Sequence, residues 1–301
     1  MSKFDQEVAQ GQRFEFGKNW QRFLSTLNNR RIEEAERSLR EMLKVEDLAG
    51  LSFLDVGSGS GLFSLAARRL GARVHAFDYD PQSVACTREL KRRYFPDDDL
   101  WSIESGSVLD CAFLKALGTF DIVYSWGVLH HTGQMQTALE NVTLPVARGG
   151  RLFISIYNHQ VHWTRLHTTL KRTYVALPLV LRVPMAAVLV AFQVLKGLVR
   201  DVTLLRDPTA RYRNYKSSRG MSWWHDCLDW IGGYPFETAT PEAIFEFFQA
   251  RGFVLERMTT CGGGPGCNQF VFRRALDHWQ WTKKPYELTV TPLIESDRPA
   301  T

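Results

Sequence analysis

The sequence predicts an α/β fold with a mainly parallel sheet and helices on both faces. Three observations carry that expectation. Short apolar runs at 51–54, 73–77, 100–104, 120–125 and 151–156 alternate with segments whose apolar residues recur at helical spacing. The first run enters a glycine-serine turn, Gly57-Ser58-Gly59-Ser60-Gly61, and a helical pattern follows at once. Asp55, Asp78, Ser107 and Ser125 fall at or just after the ends of predicted strands. With right-handed crossovers those ends share one edge of the sheet, where open α/β sheets bind ligands.

A chain of 301 residues can bury one large core and still carry an insertion. The formal net charge of +5 is mildly basic. It leaves nucleic acid or an anionic membrane surface open as partners, beside an ordinary solvated surface. The five cysteines are odd in number and widely spaced, and Cys261 and Cys267 flank GGGPG with no metal-ligand spacing. They read as free thiols in a reducing cytoplasm. The N-terminal MSKFDQEVAQ has no apolar signal core. The expected location is cytoplasmic, with a peripheral contact to the membrane left open.

The glycine turn has a chemical use. Glycines tolerate positive φ and carry no Cβ, so a ligand can lie against the backbone. The following helix aims its free N–H groups at that ligand. A dinucleotide fingerprint needs G-x-G-x-x-G, and its third glycine position is Leu62 here. The spacing found is G-x-G-x-G with Asp55 two places before the first glycine. A carboxylate there suits a cationic amino-acid moiety better than a pyrophosphate. On these residues the chain resembles the class I S-adenosylmethionine-dependent methyltransferases, whose first motif has this form. The resemblance implies a Rossmann-like seven-stranded sheet with a helical insertion after the fifth strand. It makes S-adenosyl-L-methionine the expected cofactor, held by Asp55, Gly57, Ser58, Gly59 and Gly61.

Residues 1–48 form an N-terminal helical segment, with apolar spacing from Ile32 to Val45. Phe14, Phe16, Trp20, Phe23 and Leu24 are too apolar for a free tail. In related methyltransferases such a segment lies over the cofactor, which makes Gly17, Asn19 and Trp20 either cofactor contacts or simple anchors. The cofactor-binding core is 49–156. Leu62–Leu70 is a helix ending at Gly71. Asp78 ends the second strand, placed to accept hydrogen bonds from ribose hydroxyls, and matches the second family motif. Pro81 opens a helix to about Arg93. After the third strand, Ser107 and Val108 match positions that flank the adenine in the family. The fourth strand, Phe120–Ser125, continues into WGVLHHT. This resembles family members that act on small molecules and departs from the motif of enzymes that methylate base amines. Tyr79 and Trp126 follow Asp78 and Ser125 directly and are taken with them. Gln134–Val146 reads as a helix and Arg151–Ile156 as the fifth strand.

Residues 157–239 interrupt the alternation. They are strongly apolar from Val175 to Val199, a run containing Pro178, Arg182, Pro184, Gln193 and Lys196. The longest clean part, Val183–Phe192, falls short of the ~20 residues that span a bilayer. The run reads as a buried helix pair, a lid over an apolar substrate, or an interfacial segment meeting a membrane surface through 175–199. Arg206–Arg219 interleaves arginine and tyrosine, as a solvated loop or a phosphate-binding surface. Met221–Glu237, with Trp223, Trp224, His225 and Asp226, reads as part of a substrate pocket or a packed aromatic loop. The core resumes at 240–274 with a helix from Thr240 and two strands, Phe253–Met258 and Gln269–Arg273. The family's sheet has its last strand antiparallel. Residues 275–301 read as an extended tail.

Methyl transfer from a sulfonium is an in-line displacement that needs positioning and dryness. A hydroxyl or thiol acceptor also benefits from a base, and histidine suits that role. His131 and His225 lead the candidates, followed by His130 and His159. No metal-ligand cluster stands out. The sequence favours methyl transfer to an O or S nucleophile of a small apolar or aromatic acceptor. An RNA (tRNA) methyltransferase and a non-catalytic cofactor-binding module remain the alternatives. Leu62 speaks against a nicotinamide oxidoreductase. The sequence does not set an oligomeric state.

Overall fold

A computed structural model of the chain describes residues 3–161, 163–210, 227 and 230–276. The apolar runs form seven strands: β1 Ser52–Val56, β2 Arg73–Asp78, β3 Trp101–Ser105, β4 Phe120–Trp126, β5 Val146–Tyr157, β6 Phe253–Thr259 and β7 Cys267–Arg274. Their order in one sheet is β3-β2-β1-β4-β5-β7-β6. The first five are parallel, and β7 runs antiparallel to β5 and β6. The order reverses between β1 and β4, so the loops after those strands diverge and leave a crevice.

Ten helices are used below: α1 Lys3–Ala9, α2 Phe16–Ser25, α3 Asn29–Leu43, α4 Leu62–Arg69, α5 Pro81–Tyr94, α6 Cys111–Ala116, α7 Met135–Asn141, α8 Thr164–Ala176, α9 Leu179–Thr203 and α10 Pro241–Gln249. The period-2 pleat of β1 divides them between the two faces. Phe53 packs in a cluster with Leu39 of α3, Leu65 of α4 and Leu90 of α5. Leu54 and Val56 point the other way, among Leu114 of α6, Leu139 of α7 and Phe248 of α10. Several helix starts are fixed by side-chain caps. Asn28, Asp80, Asp110 and Thr240 each accept a backbone N–H from the first turn that follows.

The structure corrects three expectations. The helix read over Gln134–Val146 ends at Asn141, because Pro145 disfavours helical backbone at the residue before it. β5 begins earlier than Arg151: Val146 pairs with Phe120, and a register shift separates that pair from Ile122 with Arg151. The extra residues of this irregularity include Gly149 and Gly150, and Gly149 holds φ of 73°. α6 was not anticipated, being short and placed where the strand-helix pattern is weak.

The insertion leaves and returns at one point. Asn158 bridges Ala239 beside the end of β5. Between them, α9 runs unbroken for 25 residues. Pro184 falls in its second turn, where it forfeits one backbone hydrogen bond without ending the helix. The apolar run is thus longer than the expected clean part: Val180–Thr203 is long and apolar enough, by length and composition, to cross a membrane. Of the remaining expectations, His225, Arg211–Arg219 and the tail from 277 lie outside the described residues.

Gly61 shows why the turn needs glycine. It holds φ of +80°, and a Cβ there would sit 2.8 Å from the Thr87 Cα in α5. Gly61→Ala is therefore expected to lower stability by about 1–3 kcal/mol, through left-handed strain and displaced α5 backbone. The measurement is the urea midpoint at unchanged m-value. A shift below about 0.5 kcal/mol would mean that turn and helix separate at no cost.

Candidate active site

The carboxyl ends of β1, β2 and β4 border a cavity of about 800 Å³. Its floor comes from the sheet edge and its roof from the N-terminal segment. Gly57 and Gly59 line it with backbone. Gly57 and Ser58 donate their N–H groups to the Phe77 carbonyl at 2.9 and 3.1 Å, which fixes the turn against β2. Gly57 holds φ of 79°, and a Cβ there would run into the Val128 side chain at 2.5 Å. At Gly59 a Cβ would lie 3.1 Å from the Trp20 indole nitrogen. The turn is therefore a cradle that any side chain would fill.

Asp78 lies at the centre. Its Oδ2 accepts the Gly59 N–H at 2.8 Å and its Oδ1 accepts the Asp80 N–H at 2.9 Å. Burial pushes its carboxyl up to about 6, against the pull of those backbone hydrogen bonds. Tyr79 beside it is capped by the N-terminal segment: the Arg13 guanidinium stands 5.1 Å above the ring, and the phenol donates to Glu7 at 3.3 Å. Ser107, Val108 and Trp126 complete this side of the wall. The Ser107 hydroxyl oxygen accepts the Leu109 N–H at 3.2 Å.

The segment from Lys3 to Ser25 crosses this edge as a strap. Gly17 donates its N–H to the Asp80 carboxylate at 2.7 Å. Arg13 binds the His131 carbonyl at 3.0 Å and the Glu7 carboxylate at 2.8 Å. Phe16 packs on the His131 ring at 5.1 Å. Trp20 lines the cavity, whereas Gly17 and Asn19 are buried behind it. Gly17 has an anchoring function: a Cβ would collide with the Asp80 carboxylate.

His131 lines the opposite wall. Its Nδ1 is 2.6 Å from the Pro235 carbonyl oxygen, so Nδ1 carries the proton and Nε2 holds the lone pair. Burial pushes the imidazole down to about 3, opposed by that hydrogen bond and reinforced by the nearby Lys171 and Arg13 cations. The ring is neutral at physiological pH, and suits accepting a hydrogen bond from a hydroxyl more than storing a proton. His130 sits behind it, fully buried, with its ring 4.4 Å from Tyr157. His159 is occupied with the Thr238 hydroxyl at 2.9 Å.

Four further sequence candidates lie beneath the cavity and do not line it. Asp55 is buried and accepts the Ser64 hydroxyl at 2.5 Å. The pleat explains this: Asp55 shares the face of Phe53 and points at α4. Ser58 pairs its hydroxyl with Thr87 at 2.9 Å. Gly61 packs on Thr87, and the Ser125 hydroxyl donates to the Val56 carbonyl at 3.1 Å. Sequence reasoning missed Arg13, Glu7, Val128 and Thr132 as lining residues. Phe14 and Phe16 gave a signal, as apolar residues in a charged segment. Arg13 gave none, because apart from Glu7 on α1 its partners, Tyr79 and the His131 carbonyl, are more than sixty positions away.

Comparisons with known proteins bear on the core that carries this cavity. A family profile described as a methyltransferase domain matches residues 54–152. A ubiquinone biosynthesis O-methyltransferase from Xanthomonas euvesicatoria is 32% identical over 165 residues, 52% of this chain and 61% of that protein. A ribosomal protein L11 methyltransferase from Methylococcus capsulatus is 44% identical over 71 residues, 23% of this chain and 24% of that protein. The chain thus spans about 61% of the length of the first of these relatives. Among solved structures, magnesium protoporphyrin IX methyltransferase from Synechocystis PCC 6803 with bound SAH superposes with a TM-score of 0.50 at 14% identity. That match covers 86% of this chain and 94% of the other, and it shows the shared fold.

Buried Asp55 generates a test. Burial raises its carboxyl from 3.8 to about 7 in the folded chain. Its stabilising contribution is then full below about pH 4 and lost as pH rises through about 7. The loss is at most roughly 4 kcal/mol at 1.36 kcal/mol per unit. Asp55→Asn is expected to come closest to the parent below about pH 4 and to exceed it increasingly up to about pH 7, as read by urea unfolding across that range. Parallel pH slopes in the two proteins would contradict a protonated Asp55.

Proposed function

We propose that this chain, whose residues 54–152 belong to the class I S-adenosylmethionine-dependent methyltransferases, methylates an O or S nucleophile on a small apolar or aromatic acceptor. One observation carries the reading: a roofed cavity with the Asp78 carboxylate and bare glycine backbone on one side and neutral His131 on the other. The residues present fit the cofactor. The cradle is one that a Cβ would fill, and Asp78 keeps lone pairs beside its two backbone bonds.

When bound, S-adenosylmethionine supplies an electrophilic methyl group on a sulfonium. Asp78 would hold ribose hydroxyls, Gly57 and Gly59 would let the ligand lie on backbone, and Ser107 with Val108 would flank the adenine. His131 orients the acceptor, taking a hydrogen bond from its hydroxyl or thiol at Nε2. The strap excludes water through Phe16, Trp20 and the Arg13–Tyr79 stack. A strap tied down at both ends suits a small acceptor better than a folded nucleic acid. The name of the O-methyltransferase relative supports an oxygen target.

Four outcomes are expected. Asp78 must be ionised to accept two hydroxyls. Affinity for S-adenosylhomocysteine, by calorimetry, should be full well above pH 6 and fall up to tenfold per unit below it. Asp78→Ala should cost at least tenfold in that affinity. With methyl-labelled cofactor and cell extract, label should enter the organic fraction. Against a phenolic acceptor found there, His131→Ala should lower kcat about 10²-fold or more while S-adenosylhomocysteine affinity holds. Label confined to RNA or protein would sink the small-acceptor reading.

A further inference from the structure

The α8–α9 pair is the largest feature that the proposed chemistry does not use. α9 is buried along one stripe: Ala186 and Val190 pack there with Tyr174 and Val175 of α8 and with Ile231 near the returning end of the insertion. Taking 100° per residue, Gly197 and Asp201, also buried, extend the same stripe. Directly opposite lie Val188, Phe192, Leu195, Val199 and Val202, within a sector of about 80°. All five are more than half exposed. They form a continuous apolar ridge along a helix of 25 residues, larger than the scattered apolar exposure of ordinary surfaces.

The charges on this pair are one-sided. α8 and α9 hold six basic residues, Arg165, Lys171, Arg172, Arg182, Lys196 and Arg200. They hold one acidic residue, Asp201, which is turned into the body at 5% exposure. Lys171 is fully buried, while Arg165, Arg172, Lys196 and Arg200 are exposed. Lys196 borders the ridge at about 80° from its centre, and Arg200 lies on the same side at about 120°. Trp163, just before α8, and Leu166 on it are also exposed apolar side chains. Apolar side chains bordered by cations, with an aromatic at the edge, match the boundary between acyl chains and anionic headgroups.

We propose that the outer face of α9 docks the protein on an anionic phospholipid surface, with the helix lying in the plane of the bilayer. The buried stripe argues for that orientation. A spanning helix would have to pull Ala186, Val190 and the buried Asp201 away from the body and set Asp201, Lys196 and Arg200 in hydrocarbon. In the plane, the ridge sinks, the cations meet phosphates, and the contact with the body persists. The proposal stands independently of the methyl acceptor.

The test is vesicle flotation of the full chain, with phosphatidylcholine alone and with phosphatidylcholine plus phosphatidylglycerol. Binding is expected to the mixed vesicles, at least tenfold weaker to the neutral ones, and reduced by salt. Phe192→Ser/Leu195→Ser should lower partition at least tenfold. Lys196→Glu/Arg200→Glu should do so on anionic vesicles only. Unchanged circular dichroism and S-adenosylhomocysteine affinity would show that both variants are folded. The proposal is overturned by absence of partition to either vesicle, or by insensitivity to the charge reversal. It is also overturned by a dimer that the ridge variants dissociate without any lipid binding, or by resistance to alkaline carbonate extraction.

Discussion

The Asp78 carboxylate ties the glycine turn to the loop that opens α5, beneath the cavity. One oxygen takes the Gly59 N–H from the glycine turn, the other the Asp80 N–H two residues on. Asp80 then passes the connection outward, since its own carboxylate takes Gly17 on the strap and Gln82 at the start of α5. Glycine turn, second strand, strap and helix thus form one chain of hydrogen bonds to carboxylates. Such bonds are stronger than neutral ones when the acceptor is ionised. The same burial that shields them raises both carboxyl groups. Losing the charge would weaken the roof and the floor together.

The far wall is ordered by a different rule. His131 is dry, neutral and pinned through Nδ1 to Pro235, with Phe16 and Phe236 against its ring. Pro235 belongs to the returning end of the insertion, while Arg13 of the strap grips the His131 backbone carbonyl. One histidine therefore receives its orientation from the insertion and its cover from the N-terminus. For the proposed methyl transfer, a sulfonium is already a reactive donor, so geometry and dryness would contribute more than base strength. The low basicity of the ring fits that division of labour.

Much of this was legible in the sequence, for local reasons. Periodicity revealed the strands, because each buries a face at period 2, and the glycine turn could serve few other purposes. Asp78 could be placed at the ligand edge by its position after a strand. What was not legible depended on parity or on distance. Asp55 occurs in the motif itself, yet one residue of pleat turns it toward Ser64 and away from the cavity. Ser58, Gly61 and Ser125 are likewise structural neighbours of the site, each engaged from within the fold. Arg13 acts across more than a hundred residues, and nothing near it in the chain announces its partners. The length of α9 was hidden by Pro184, which breaks a helix in its middle but is tolerated near its start.

The insertion and the cavity are mechanically connected through the strap. Phe14 lines the cavity and also packs in the cluster that holds Val190 of α9, Ile231 and Tyr234. Its N–H donates to the Tyr234 carbonyl at 3.0 Å. Lys171 of α8, fully buried, places its ammonium 4.6 Å from the Trp230 ring and 4.7 Å from Phe236, which itself packs near His131. Close-packed contacts of this kind transmit displacement because they have little slack. A force on the outer face of α9 would reach the roof through Phe14, and one on α8 would reach the far wall through Lys171 and Phe236. Phe14 is thus the side chain common to the cavity wall and the cluster beneath α9.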